Sequence, residues 1–108
     1  MSEIASLLRL QVQCDKEIKV TAVTVTATAT KFTSQLTEGY TRKSFFGYNN
    51  SDGTSGELYY GHDDTVTPST GRPIPLGADV EFRLSTDLDI YFVAESGEQG
   101  DLRVFEGA

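Results

Sequence analysis

Between Asp79 and Phe105 apolar and charged positions alternate in three short runs. In the first, Val80, Phe82 and Leu84 are even-numbered and Asp79, Glu81 and Arg83 odd-numbered, which is the period of a strand with one wet face. Ser85-Thr86-Asp87 then supplies short polar side chains that suit a turn, after which Leu88, Ile90, Phe92 and Ala94 resume the same parity. Gly97 and Gly100 bracket a second turn, and Leu102 and Val104 alternate with Asp101, Arg103 and Phe105. The pattern predicts a three-stranded antiparallel meander with a single core face.

Upstream, Ile18 to Phe32 is rich in Thr, Val and Ala, and its parity changes once. Ile18, Val20 and Ala22 are even, whereas Val23, Val25, Ala27 and Ala29 are odd. A long β-branched strand with a bulge near Ala22 and Val23 is expected. Arg42 to Tyr48 reads as a strand with Phe46 and Tyr48 on one side and Phe45 on the other. The turn signal Asn49-Asn50-Ser51-Asp52-Gly53 follows, with Glu57 to Gly61 as the returning arm of a hairpin. His62 to Ala78 holds Pro68, Pro73 and Pro75 and is expected to be a stiff surface loop. Together these elements predict an all-β chain, an antiparallel β-sandwich of about seven or eight strands close to a jelly roll. Residues 18–108 form the sandwich and residues 1–17 an N-terminal arm or a first strand, because Ile4, Leu7 and Leu8 suit a helical turn while Leu8, Leu10 and Val12 alternate like a strand.

A chain of 108 residues suits one domain and buries roughly two-thirds of its unfolded surface without staples. The single cysteine, Cys14, cannot close an internal disulfide and reads as a small near-core residue. Met1 to Val12 lacks a basic start, and no stretch approaches the ~20 apolar residues of a membrane span, so neither export nor a membrane partner is expected. The net charge of −7 is uneven. Residues 1–54 carry six Lys or Arg against five acids, and residues 55–108 three against eleven. Such a surface repels phosphate, so nucleic acid is excluded as a partner.

No cluster specifies a reaction. His62-Asp63-Asp64 sets the one histidine beside two carboxylates, but adjacent side chains in an extended segment point apart and do not converge on a metal. Asn50-Ser51-Asp52-Gly53 has a distant likeness to a calcium loop, yet Tyr59 stands where a closing glutamate is needed. Asp87 and Asp89 share a solvated strand face rather than a cleft, there is no nucleophile elbow, and the glycines punctuate turns. The chain therefore reads as a non-enzyme that needs no cofactor. Tyr59 and Tyr60 are adjacent, so one of them points out of its sheet and is a candidate for stacking on a sugar or a protein.

The stretch Arg42-Lys43-Ser44-Phe45-Phe46-Gly47-Tyr48-Asn49-Asn50 resembles a group of small phage virion proteins. The resemblance continues through Glu57-Leu58-Tyr59-Tyr60-Gly61, the proline-glycine loop Val66 to Gly77, Asp89-Ile90-Tyr91-Phe92-Val93-Ala94 and Leu102-Arg103-Val104-Phe105-Glu106. It implies a compact β-sandwich located on the virion, as a decoration or cement protein that bridges subunits of the major capsid protein. Adjacent apolar residues such as Tyr91-Phe92-Val93 and Phe45-Phe46 leave a second apolar face that needs a partner, so a homo-oligomer is expected, a trimer with Tyr91 or Val93 near the contact. Attachment through the arm residues Ile4, Leu7, Leu8 and Leu10 is expected, added as a strand or laid in a groove. The alternative is a carbohydrate- or receptor-binding module of a tail or fibre, using Tyr59, Tyr60 and the His62 to Ala78 loop.

Overall fold

The computed structural model describes residues 14–51 and 56–108, and the described residues contain eight strands. They are β1 (Ile18–Val25), β2 (Thr30–Lys31), β3 (Ser44–Asn49), β4 (Leu58–Gly61), β5 (Arg72–Ile74), β6 (Asp79–Glu81), β7 (Tyr91–Ala94) and β8 (Gly100–Gly107). Pairing is nested and antiparallel: β1 with β8, β2 with β7, β3 with β6 and β4 with β5. Two further pairings, β8 with β3 and β7 with β4, roll this doubled ribbon into the four-stranded sheets β1-β8-β3-β6 (sheet A) and β2-β7-β4-β5 (sheet B). The expected antiparallel sandwich is thus an eight-stranded jelly roll.

Alternation fixes which side chains face inward. Val25, Phe45, Leu102 and Val104 from sheet A meet Leu58, Ile74, Phe92 and Ala94 from sheet B, with Phe32, Phe82 and Ile90 from the connections. Phe82 is central, its ring centroid 4.8 Å from Phe45, 5.0 Å from Tyr60 and 5.9 Å from Phe92. Gly47 makes room for it. A Cβ there would stand 2.9 Å from Phe82 Cε2, so the missing side chain lets the ring lie against β3.

Several sequence expectations are corrected. The 79–105 region is not a meander: β6 and β8 belong to sheet A and β7 to sheet B, so both turns cross between layers. Likewise β3 and β4 lie in different sheets and form no hairpin. Alternation reveals strands but not their partners, and that is why both assignments fail. β5 lies within the expected 62–78 loop, and Pro73 is tolerated because β5 is an edge strand. The Thr-rich segment is broken in two. Thr26 Oγ1 accepts from the Thr28 N–H at 3.3 Å, and Thr26 O accepts from the Ala94 N–H at 2.8 Å, so the chain turns at Thr26–Ala29 and passes from sheet A to sheet B. The change of parity is not a bulge, since β1 runs in unbroken register from Ile18 opposite Gly107 to Val25 opposite Gly100. Val23 and Val25 face the core, and Ile18, Val20 and Ala22 face away from it.

Candidate interaction surfaces

The two outer faces of the sandwich differ. On sheet B, Tyr59 and Val93 are paired neighbours whose side chains point away from the main core, and Val66 from the 62–71 loop packs over them. Gly61 and Gly71 permit this close cover, because a Cβ at Gly61 would stand 2.5 Å from Val66 Cγ2 and one at Gly71 2.8 Å from the same atom. Tyr59 and Val93 end up buried. The Tyr59 hydroxyl lies 2.9 Å from both Glu57 Oε2 and Glu95 Oε1, and these bonds to two carboxylates push the phenol well above its ordinary range.

On sheet A, among the described residues, Cys14 lies over Gly107 at one end, and no loop covers the rest of the outer face as Val66 covers sheet B. The outward side chains of sheet A form rows across the strands: Val20, Phe105, Phe46 and Glu81 in one, and Ala22, Arg103, Tyr48 and Asp79 in the next. Val20 is 69% exposed, Ile18 60%, and Phe46 and Tyr48 39% each. Phe46 and Phe105 meet edge to face with centroids 6.3 Å apart; Phe46 is exposed and Phe105 half-buried. A polar rim surrounds the row. Arg103 grips Asp101 through Nε and Nη2, Asn50 donates to the same carboxylate at 3.0 Å, and these contacts hold Asp101 below the usual carboxylate range. A contiguous apolar strip inside a charged rim is the composition of a contact surface.

Within the described residues no buried side-chain nitrogen or oxygen lacks a partner. At one end of the sandwich Glu106, fully buried, accepts from Arg42 Nη1 at 2.9 Å, from Ser34 Oγ at 2.7 Å and from the Gln35 N–H at 2.9 Å. Arg42 also donates from Nε to the Leu84 carbonyl and from Nη2 to the Ser85 carbonyl, and stacks 3.8 Å over the Phe45 ring. At the other end Asn49, also fully buried, donates to the carbonyls of Ile74 and Gly56 and accepts from the Ser51 N–H. Both clusters tie loops to strands.

A shallow groove of about 680 Å³ lies beside β4, between Tyr60, His62 and Arg72 on one side and Leu84 and Asp87–Ile90 on the other. Asp87 and Asp89 line it from a turn, not from the strand face expected of them. His62 Nε2 approaches Asp63 at 3.3 Å on the open surface. The Thr65 hydroxyl and N–H both donate to Asp63 and lower its carboxyl, so this carboxylate is engaged in turn chemistry. Among the described residues no group of three His, Cys, Asp or Glu side chains is placed to hold a metal ion.

Of the residues singled out from sequence, Ile4, Leu7, Leu8 and Leu10 lie outside the described residues. The contact expected at Val93 is not available on the surface, because Val93 is 2% exposed beneath the 62–71 loop. Tyr59 is buried too, whereas Tyr60 and Tyr91 are half-buried, Tyr60 beside the groove. Sequence reading missed Ile18, Val20, Phe46 and Tyr48 as a joint surface. Their signal was present in the parity change at Ala22 and Val23 and in the Phe45-Phe46 pair, which together make both faces of sheet A apolar. Comparison of the chain with protein-family models, with curated proteins and with solved structures finds no match.

Proposed function

We propose that this chain is a structural component of a phage particle, a capsid decoration or cement protein that bridges subunits of the major capsid protein and uses the outer face of sheet A as a contact surface. The observation that carries the reading is the contrast between the two outer faces. Sheet B is covered by its own loop, while sheet A, among the described residues, presents Val20, Phe105 and Phe46 in an apolar row with Ile18 and Tyr48 on either side of it. Among the described residues, a body with its buried polar side chains satisfied and one largely open face suits assembly rather than turnover. The jelly roll hosts many functions, so the fold is compatible with this role without selecting it. The phage context comes from the sequence resemblance alone.

The test is co-sedimentation of tagged chain with purified capsids of the virus that encodes it. Wild-type chain is expected to travel with the shell, and Phe46→Lys, which lies opposite Glu81 and is expected to keep the fold by circular dichroism, is expected to stay in the supernatant. Wild-type chain left in the supernatant refutes the reading. The groove beside Tyr60 favours a second reading, a carbohydrate- or receptor-binding module, since an aromatic edge flanked by Arg72, Asp87 and Asp89 suits a sugar ring and its hydroxyls. Calorimetric titration with host polysaccharide separates the two: heat that disappears in Tyr60→Ala supports the module, and no heat removes it.

A further inference from the structure

We propose that two copies of this chain join through the outer edge of β1, antiparallel about a twofold axis at Val20, so that their A sheets become one continuous eight-stranded sheet. This deepens the reading of the chain as a virion structural protein and rests on it for the use to which the joined face is put.

Three of the four sheet edges are blunted. β2 has two residues, β6 three, and β5 three with Pro73 at its centre. β1 is different: eight residues, no proline, no bulge. Glu17 and Ala108 exchange both backbone bonds, at 2.8 and 3.1 Å. Such pairs alternate along an antiparallel ladder, so Lys19, Thr21 and Val23 turn their N–H and C=O groups toward β8 while Ile18, Val20, Ala22 and Thr24 turn theirs outward. Among the described residues no strand pairs with that outward row.

The side chains select a second copy as occupant. With Val20 opposite the partner's Val20, Ile18 faces the partner's Ala22, so the centre of the contact on the outer face is apolar. Lys19, the one charge in β1, then faces the partner's Thr21 rather than the partner's Lys19. Local charge permits the approach. Asp15 is paired with Lys43 at 3.0 Å and Glu17 is held by the Thr37 N–H and hydroxyl, while the excess of acids lies in the second half of the chain. The twofold also joins the two exposed rows end to end, so that Val20, Phe105 and Phe46 of each copy form a single strip across both bodies. Strand edges pair in twos, so this contact closes as a dimer and not as the trimer expected from sequence.

Sedimentation equilibrium of the full chain, from low to high micromolar concentration with no particle present, is expected to show a species of twice 11.8 kDa. Added salt is expected to tighten it, because the two acidic bodies repel each other at a distance. Val20→Pro removes an outward N–H and spares the bonds to β8, and is expected to give a folded monomer by circular dichroism and thermal melting. In a Cys14→Ser chain, Val20→Cys is expected to form a disulfide dimer in air, since facing residues of a hydrogen-bonded pair have Cα atoms ~5.5 Å apart. Phe46→Cys in the same background, on the outer face but away from the axis, is expected not to. A monomer at every concentration, a trimer, or a dimer that survives Val20→Pro overturns the proposal. So does a dimer that forms only after residues 1–13 are removed, because the arm then holds the edge. A monomer that still decorates shells defeats the twofold alone, and a dimer that ignores shells defeats the decoration reading alone.

Discussion

Arg42 and Glu106 form an ion pair at 2.9 Å with side-chain exposures of 3% and 0%, so neither charge is shared with water. The pair links the start of β3 to the end of β8, and through Ser34 and Gln35 it fastens the 33–41 connection over the same end of the sandwich. Desolvating two charges is costly, and here the cost is offset by further bonds, from Arg42 to the carbonyls of Leu84 and Ser85 and to Glu106 from Ser34 and the Gln35 N–H. Arg42→Ala strands the Glu106 carboxylate and is expected to lower unfolding stability by about 3–5 kcal/mol in urea titrations. A loss under about 1 kcal/mol would mean that water reaches Glu106.

Two adjacent phenylalanines are expected to respond very differently. Phe45 is 1% exposed and in ring contact with Phe32 and Phe82, so Phe45→Ala is expected to cost about 3–5 kcal/mol. Phe46 faces solvent and loses mainly its edge contact with Phe105, and Phe46→Lys is expected to cost about 1 kcal/mol. Denaturant midpoints of the two variants decide the matter, and comparable losses would show that the outer face of sheet A is covered in the folded chain.

Gly47→Ala brings a methyl group against the Phe82 ring, which is already held by Phe45, Tyr60 and Phe92. The ring has nowhere to retreat, and the expected cost is about 1–3 kcal/mol of overpacking in thermal or urea unfolding. Double substitution with Phe82→Leu is expected to recover part of it, since a smaller side chain relieves the clash.

Tyr59 gives the molecule an alkaline dependence. Its hydroxyl, bonded beside Glu95 and Glu57, keeps its proton in the folded chain past the ordinary value of 10.0, whereas the unfolded chain releases it near that value. The stabilisation is therefore complete below about pH 10 and declines as pH rises above it. The stability difference between wild type and Tyr59→Phe is expected to hold constant up to about pH 10 and to narrow as pH is raised beyond it in urea titrations. A constant difference would place the proton elsewhere.

Much of the fold was legible in the sequence, and what was not has identifiable causes. Period-two alternation located β1, β7 and β8, because a residue's face in a pleated sheet depends only on its parity, while β4 was placed by the turn signal before it. Pairing was illegible because β6, β7 and β8 alternate alike whether consecutive strands share a sheet or cross between layers. The outer strip on sheet A was present in the sequence as a double apolar pattern, Ile18 and Val20 against Val23 and Val25, but it took the β8 register to show that a flat apolar face and not a bulge produces it. The burial of Tyr59 and Val93 had no local signal, since Val66 reaches them through a fold of the 62–71 loop that Gly61 and Gly71 permit.

The nested pairing has a kinetic consequence. β4 and β5 are joined by the shortest of the four nested connections and β1 and β8 by nearly the whole chain, so closing the outer pair first forfeits far more chain entropy than closing the inner one. Folding is expected to zip outward from the proline-containing middle, with β1 arriving last. In stopped-flow experiments Leu58→Ala is expected to slow folding, and Val23→Ala to leave the folding rate nearly unchanged while hastening unfolding. The reverse pattern would show that the ends meet first. On the expected route, the strand with the open edge is also the last to find its place, so a nascent chain carries its stickiest border exposed until the final step of maturation.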